Sequence, residues 1–561
     1  MPKKLLRFIQ RNFHIQILLL WAFLVLIGLT GRSYFPIDET RYVTVAWNMW
    51  MNGDYLVPYL NGTAYSHKPP MLFWLINLGW AILGVNDWWP RLIPSLFALA
   101  SIGVTRKIAD LLWPNQTQIK DNASLILLSF ALWVAYSTML MFDMLIAFFT
   151  VLGIWGLLIV LQTRALKGWL LFTLAIGGGL LAKGPTILLQ LLPLAFTAPW
   201  WHKEQHLNAK NWYFPILYCV LGGAAIALLW AIPAGIRGGA VYQHAIFWGQ
   251  TAERMVDSFA HNRPFWWYLP ILPLLLFPWL LWGIFWRGLW RSLITEKTLL
   301  NDLGIRFCLA WLVPVFVAFS FISGKQVHYI LPLFPAFALL IARLSLPQST
   351  DMRLTNSRKF LLPISLATIA LGVFLMILPS YIQSHPKAGA WLQQIPLSLG
   401  GFVILLGVLI FALPKKSANN TVMQLTLLSI SLVTTLLFVL MHTAGYAYDV
   451  RPISKALKKL EAANIPTAFV GKYPGVFNFL GRLEKSPDLV KLDTIDAWFT
   501  AHPNGRVIEY FDDLSEINPQ QVEFVQAYKG SIAVIMTSSQ WYLNKQLAKQ
   551  ALKDSTAVEA E

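Results

Sequence analysis

Charge is scarce in this chain of 561 residues: 13% of positions are Asp, Glu, Lys or Arg, against 56% hydrophobic, and the mean hydropathy is +0.54. A water-soluble globular protein of this length is not expected to show that balance, so composition alone defines a polytopic membrane protein. Cysteine is nearly absent. The two present, Cys219 and Cys308, both fall inside apolar stretches, which excludes a disulfide framework and a thiol nucleophile and leaves two small core residues. Low-complexity sequence is confined to the end, Ser555 to Glu561, and no repeat of solenoid period is present. The basic start, with Lys3, Lys4, Arg7 and Arg11, resembles a signal-peptide n-region, but the apolar run that follows is too long. It reaches Gly31-Arg32 without a small-residue cleavage site, so a retained first helix is expected.

What the chain has in abundance is long apolar runs. A span takes about 20 such residues, and thirteen segments fit: 13–31, 91–112, 123–142, 144–163, 169–182, 185–201, 213–233, 265–286, 305–322, 329–346, 360–379, 395–413 and 422–442. A further apolar stretch at 70–84 competes for a span. With a cytoplasmic N-terminus and thirteen spans, cytoplasmic segments carry 21 Lys/Arg and the opposite loops before residue 443 carry 10, the positive-inside pattern. Letting 70–84 cross would reverse everything from Arg91 to Lys416 and erase that bias. This stretch is therefore expected to lie at the outer interface as a helix. The net charge of +17 is then largely a topology signal and gives no reason to expect nucleic acid as a partner.

Past Met441 the composition changes. Helix-like stretches (Ile453 to Ala463, Trp541 to Lys553) alternate with β-rich runs at Thr467–Gly471, Arg506–Phe511 and Ser531–Thr537. This predicts a transmembrane domain over 1–445 and a small α/β domain over 446–561, which the odd span count puts outside the cytoplasm, the periplasmic side if the cell is one with two membranes.

The same topology gathers the unusual polar residues on one face. Asp38, Glu39, Arg41, Lys68, Asp143, Lys183, Glu253, Arg254, His261, Arg263, Lys325 and His328 all fall in outer loops or at outer helix ends. Any one of them alone reads equally well as a solvated loop residue or a snorkelling anchor. Their order is more specific than their number. Asp38-Glu39-Thr40-Arg41-Tyr42 follows the first span, Tyr65-Ser66-His67-Lys68-Pro69-Pro70 precedes an apolar helix, and Asp143 follows the third span. Then come Ala182-Lys183-Gly184-Pro185, a His261–Trp266 run and a His328–Pro332 run.

This ordered set resembles the GT-C glycosyltransferases that use a polyprenyl-phosphate sugar, and most closely the bacterial aminoarabinose transferases that modify lipid A, relatives of the protein O-mannosyltransferases. The resemblance implies a GT-C fold of about thirteen transmembrane helices, with interfacial helices in the first outer loop and an α/β domain after the last span. It implies an undecaprenyl-phosphate donor carrying 4-amino-4-deoxy-L-arabinose or a similar sugar, lipid A as acceptor, inversion at the anomeric carbon, and residence in the bacterial inner membrane. Loops 32–90 and 234–264 would form the active face.

Asp38 is then the position of the catalytic carboxylate, and Lys68, with Arg254 and Arg263, that of the donor-phosphate cations. Fixed cations stabilise charge that develops on a leaving phosphate where the dielectric is low. Glu39, Arg41, Tyr42, Tyr65, Asp143, Lys183, Lys325, His328 and Tyr329 would contact sugar or acceptor, although Lys183 reads equally well as a helix-end cap. One departure stands out: where the family pattern often has Glu before the Lys-Pro-Pro lysine, a metal ligand, this chain has His67. Imidazole also binds zinc, so His67 with His261 is a candidate pair. Many spans would equally suit a transporter or lipid flippase, but transporters tend to show repeated halves and charges buried at the midplane. Transfer to protein hydroxyls, or to another glycolipid, is the alternative within the transferase class.

Overall fold

A computed structural model of the chain describes residues 12–202, 208–249, 262–296, 299–346, 358–383, 390–413, 418–512 and 514–545. Among them nine helices are long and apolar enough to cross a membrane, beginning with Phe13–Thr30, and a pair that is apolar enough when taken together, Thr117–Ser129 and Ala131–Thr138, is bent by 65°. The bend sits at Phe130, whose ψ of 132° leaves the helical region. Two more expected segments are shorter helices, Thr186–Phe196 and Leu397–Ala412. The segment expected at 265–286 is broken into Tyr268–Leu275, a 3₁₀ turn at Trp279–Leu281 and Gly283–Trp290. Pro273 and Pro278 fall in and beside those breaks, where a missing N–H and a clashing ring interrupt the ladder. All thirteen expected segments are therefore helical, but four are short, bent or broken.

Between the first and second spans lies a compact layer that presents the polar residues. The helix Asp38–Asn52 opens with Asp38 and Glu39 in its first turn, where carboxylates complement the macrodipole. Strands β1 (Tyr59–Leu60) and β2 (Thr63–Ala64) form a hairpin turning at Asn61-Gly62, both with positive φ, the signature of a tight hairpin turn. The apolar stretch expected at the interface is the 13-residue helix Met71–Leu83. It buries Leu72, Phe73 and Ile76 against the Asp38–Asn52 helix and leaves Leu78, Ile82 and Leu83 exposed.

The C-terminal part carries a five-stranded sheet in the order β4-β3-β5-β7-β6: β3 (Thr467–Val470), β4 (Asp488–Val490), β5 (Arg506–Phe511), β6 (Phe524–Tyr528) and β7 (Ser531–Met536). β3 runs parallel to both β4 and β5, whereas β7 is antiparallel to β5 and β6. Alternate residues feed two cores. Phe469, Ile508 and Ile535 pack under the helix Arg451–Ala462, and Ala468, Val507 and Val534 pack with Trp498 and Trp541 on the other face.

This sheet unit is bonded to the Asp38–Asn52 helix. Thr44 Oγ1 donates to the Gly475 carbonyl at 2.7 Å, and Trp47 Nε1 donates to the Leu483 carbonyl at 2.9 Å. The hairpin tip joins in, with Asn61 Nδ2 donating to the Tyr473 carbonyl at 2.6 Å. Phe479 stacks on Trp80 at 5.1 Å and meets Trp47 edge-on, and such aromatic pairs contribute about 0.5–1.5 kcal/mol each beyond their buried area.

Candidate active site

The site is built from helix ends. The first span stops at Gly31, and three carbonyls there, those of Gly28, Leu29 and Arg32, accept hydrogen bonds from the buried guanidinium of Arg91. Arg91 thus caps the helix end that delivers the acidic pair.

Within that pair the two carboxylates have opposite surroundings. Glu39 is 2% exposed. It forms an ion pair with Arg32 through both oxygens and accepts the backbone N–H groups of Phe35 and Leu140 at 2.7 and 2.6 Å. Burial alone would raise its carboxyl, but the Arg32 charge and these hydrogen bonds outweigh it and hold the group below the usual carboxylate range. Expected as a sugar or acceptor contact, Glu39 instead has its acceptor capacity taken up by the protein and anchors the site from behind. Asp38 faces the other way, with a side chain 51% exposed and ion-paired to Arg41 one turn later.

Asp143 begins the helix Asp143–Thr163 and Lys183 ends the helix Leu166–Lys183, so each charge complements its own helix dipole and the two meet at 2.5 Å. Gly184 makes the meeting possible: its φ of 72° lets the chain reverse before Pro185 starts the next helix. His328, in the 3₁₀ turn Val327–Leu333, brings Nε2 to 3.9 Å from Asp143 Oδ1, while its Nδ1 lies 2.9 Å from the Tyr136 hydroxyl. The Lys183 ammonium sits 5.0 Å from the centre of the Tyr329 ring. Lys68, placed between the hairpin and the Met71–Leu83 helix, lies 5.9 Å from the Phe142 ring centre. Asp38, Lys68, Asp143 and Lys183 all lie within electrostatic reach of His328.

Tyr42 and Tyr65 complete the wall, both buried, with Tyr42 edge-on to Phe142 at 5.0 Å. Burial, with Asp38 nearby, pushes the Tyr42 phenol up, so it remains a neutral hydrogen-bonding group. The structure therefore brings together Asp38, Arg41, Tyr42, Tyr65, Lys68, Asp143, Lys183, His328 and Tyr329, drawn from distant parts of the sequence.

Others of the expected residues stand apart. Lys325 is buried and donates to the carbonyls of Arg263 and Ile322 at 2.8 and 2.6 Å, which makes it a clip for the 263 segment and leaves little of its ammonium for a sugar. Arg263 is exposed and lies over the Trp267 ring at 4.5 Å. Glu253, Arg254 and His261 lie outside the described residues. His67 is exposed and stacks on Tyr65 at 5.2 Å, and among the described residues no group of three or more His, Cys, Asp or Glu is placed to hold a metal ion. Sequence reasoning missed Arg32 and Tyr136. Arg32 ends an apolar run and read as an ordinary flanking charge, and Tyr136 lay inside an expected span.

An apolar helical bundle with charged residues from many helix ends meeting at one end, beside a sheet-bearing unit, defines a polytopic membrane protein. Comparison of the whole structure with ArnT from Cupriavidus metallidurans bound to undecaprenyl phosphate confirms that fold: the TM-score is 0.72 over 94% of this chain and 98% of that one, at 17% identity. Residues 67–234 match the family described as dolichyl-phosphate-mannose-protein mannosyltransferase. The chain is similar to the undecaprenyl phosphate-alpha-4-amino-4-deoxy-L-arabinose arabinosyl transferase of Pectobacterium carotovorum, 30% identical over 331 residues and spanning 58% of the length of each protein. The protein of the same description from Photorhabdus laumondii is 28% identical over 404 residues, 70% of each. These likenesses agree with the one carried by the Asp38-Glu39 and Lys68-Pro69-Pro70 motifs.

Proposed function

We propose that the protein is an inverting glycosyltransferase that moves a sugar, 4-amino-4-deoxy-L-arabinose or a close analogue, from undecaprenyl phosphate to lipid A at the periplasmic face of the bacterial inner membrane. The observation that carries the reading is the convergence of Asp38, Lys68, Asp143, Lys183 and His328 at one end of an apolar bundle. A donor with an isoprenoid tail stays in the bilayer, so its scissile bond lies near such an end.

In this reading the bond between the anomeric carbon and the lipid-phosphate oxygen breaks, and its electron pair leaves with the phosphate. Lys68 stabilises that developing charge. The acceptor oxygen attacks from the opposite face, which inverts the centre. Asp38, exposed and held by Arg41, takes the proton of a hydroxyl acceptor. With a phosphate acceptor, already an anion, it orients the acceptor or stabilises positive charge at the anomeric carbon. Asp143, already neutralised by Lys183 and near His328, suits a role in holding sugar hydroxyl or amino groups. Arg254 and Arg263 remain proposed helpers for the donor phosphate.

The match of residues 67–234 to a protein mannosyltransferase family favours, as a second reading, a hydroxyl of a protein as acceptor. A flippase is disfavoured by charges that collect at one end. Mass spectrometry of lipid A and of envelope glycoproteins, from cells with and without the chain, tests both. A lipid A mass increment that depends on the chain supports the first reading, an increment on glycoproteins alone supports the second, and no change in either removes both.

A further inference from the structure

The C-terminal unit carries a second group of cations, apart from the Lys68 cluster and given no part in the proposed transfer. Lys455, Lys458 and Lys459 share one face of the helix Arg451–Ala462, at the spacing that makes residues neighbours on a helix surface. With Ala462, Leu480 and Gly481 they line a recess of about 360 Å³. The other face of the helix, with Ile453, Leu457 and Leu460, is buried in the sheet core, so the lysine face stays outward. Lys458 donates to Glu461 Oε2 at 2.6 Å, and the remaining Glu461 oxygen accepts the N–H groups of Glu484 and Lys485. That carboxylate is fully used. Among the described residues the side chains of Lys455 and Lys459 have no hydrogen-bonding or ion-pair partner.

The recess adjoins a residue paired to the start of a span. Gly481 precedes Arg482, whose guanidinium pairs at 2.7 Å with Asp87, the residue immediately before the span Trp88–Leu112. Trp88 is exposed there, as are Leu78, Ile82 and Leu83 of the neighbouring Met71–Leu83 helix, a set that lipid at the interface would cover. Two unpaired ammonium groups beside the apolar Leu480, in a recess whose lining residue Gly481 adjoins that Arg482–Asp87 contact, suit a ligand with an anionic head and an apolar body. We propose that this recess binds the phosphorylated headgroup of an anionic membrane lipid, on the membrane face that carries Asp38. The phosphate oxygens accept charge-assisted hydrogen bonds from Lys455 and Lys459, and the glycerol and acyl portion lies along Leu480 and the exposed apolar side chains below. This site is separate from the Lys68 cluster and needs no sugar donor.

The test is native mass spectrometry of the purified full-length protein with short-chain phosphatidylglycerol, phosphatidylcholine or inorganic phosphate, alongside thermal unfolding without lipid. The wild type is expected to retain phosphatidylglycerol over phosphatidylcholine. Lys455→Gln/Lys459→Gln is expected to weaken that retention by about tenfold or more with unchanged lipid-free unfolding, and Lys68→Ala to retain it. An equal loss in the charge-matched control Lys491→Gln/Lys529→Gln, no loss in the recess variant, or no preference over phosphatidylcholine would overturn the proposal. Displacement of the lipid by an equal concentration of inorganic phosphate would overturn it too, by assigning the recess to a free anion.

Discussion

The Arg32 guanidinium holds both oxygens of the Glu39 carboxylate and also donates to the Thr138 carbonyl at 2.6 Å, while Leu140 N–H donates to the same carboxylate. This ties the start of the Asp38–Asn52 helix to the segment leading into Asp143. The two acidic positions of the site, Asp38 and Asp143, are thereby tied to each other through a pair separate from the one that Asp38 makes with its own partner, Arg41.

Glu39→Gln leaves Arg32 buried without its charge partner, and breaking a buried pair in this way costs about 3 kcal/mol or more. The carboxyl of Glu39 is depressed in the folded protein, so its contribution is present above its unfolded value of 4.5 and is lost as pH falls through the lower folded value. Thermal unfolding in detergent, followed from pH 7 downward, should show the wild type losing stability below about 4.5. The Gln variant, less stable at neutral pH, should show a flatter curve over that range.

Asp38→Asn removes an exposed carboxylate whose partner, Arg41, is also partly exposed, so folding should be little affected. Transfer should fall by about 100-fold or more if the acceptor is a hydroxyl, the scale of a lost general base. A reconstituted assay with the undecaprenyl-phosphate sugar reads this directly, and full activity would remove Asp38 from the chemistry.

Lys68→Ala should weaken binding of undecaprenyl phosphate by about tenfold or more, because a charge-assisted contact is lost. Lys68→Arg should restore part of it, since the cation returns with a different shape. Lipid titration monitored by intrinsic tryptophan fluorescence separates the two variants. Equal binding by all three proteins would place the donor phosphate elsewhere.

Lys183→Met strands the Asp143 carboxylate and should destabilise the protein strongly, whereas Lys183→Met/Asp143→Asn removes both charges and should recover much of that loss. Activity should stay low in both if the pair serves the sugar. Unfolding midpoints recovered together with activity in the double variant would instead mark the pair as purely structural.

The helical bundle was legible because apolar runs are dictated by the bilayer, and the stretch that the Lys/Arg bias kept out of the span count is a helix of 13 residues, short of a full span. The bend at Phe130 and the broken segment 268–290 were not, since apolar composition continues through them while backbone geometry does not. In the C-terminal unit β3, β5 and β7 announce themselves by β-branched and aromatic runs, but β4, three residues long with two exposed, and the edge strand β6 do not. At the site, residue types with a chemical use were readable from their order. The inward turn of Glu39 was invisible, because it depends on Arg32 and on backbone N–H groups that only the fold delivers.

The hydrogen bond from Thr44 to Gly475 spans 431 residues of sequence, and that from Trp47 to Leu483 spans 436. A ribosome feeding this chain into the membrane delivers the acidic helix long before its brace. Until residue 475 has been added the Asp38 helix lacks both of these bonds, so a product stalled just before that point carries every residue of the reactive cluster and leaves it unbraced.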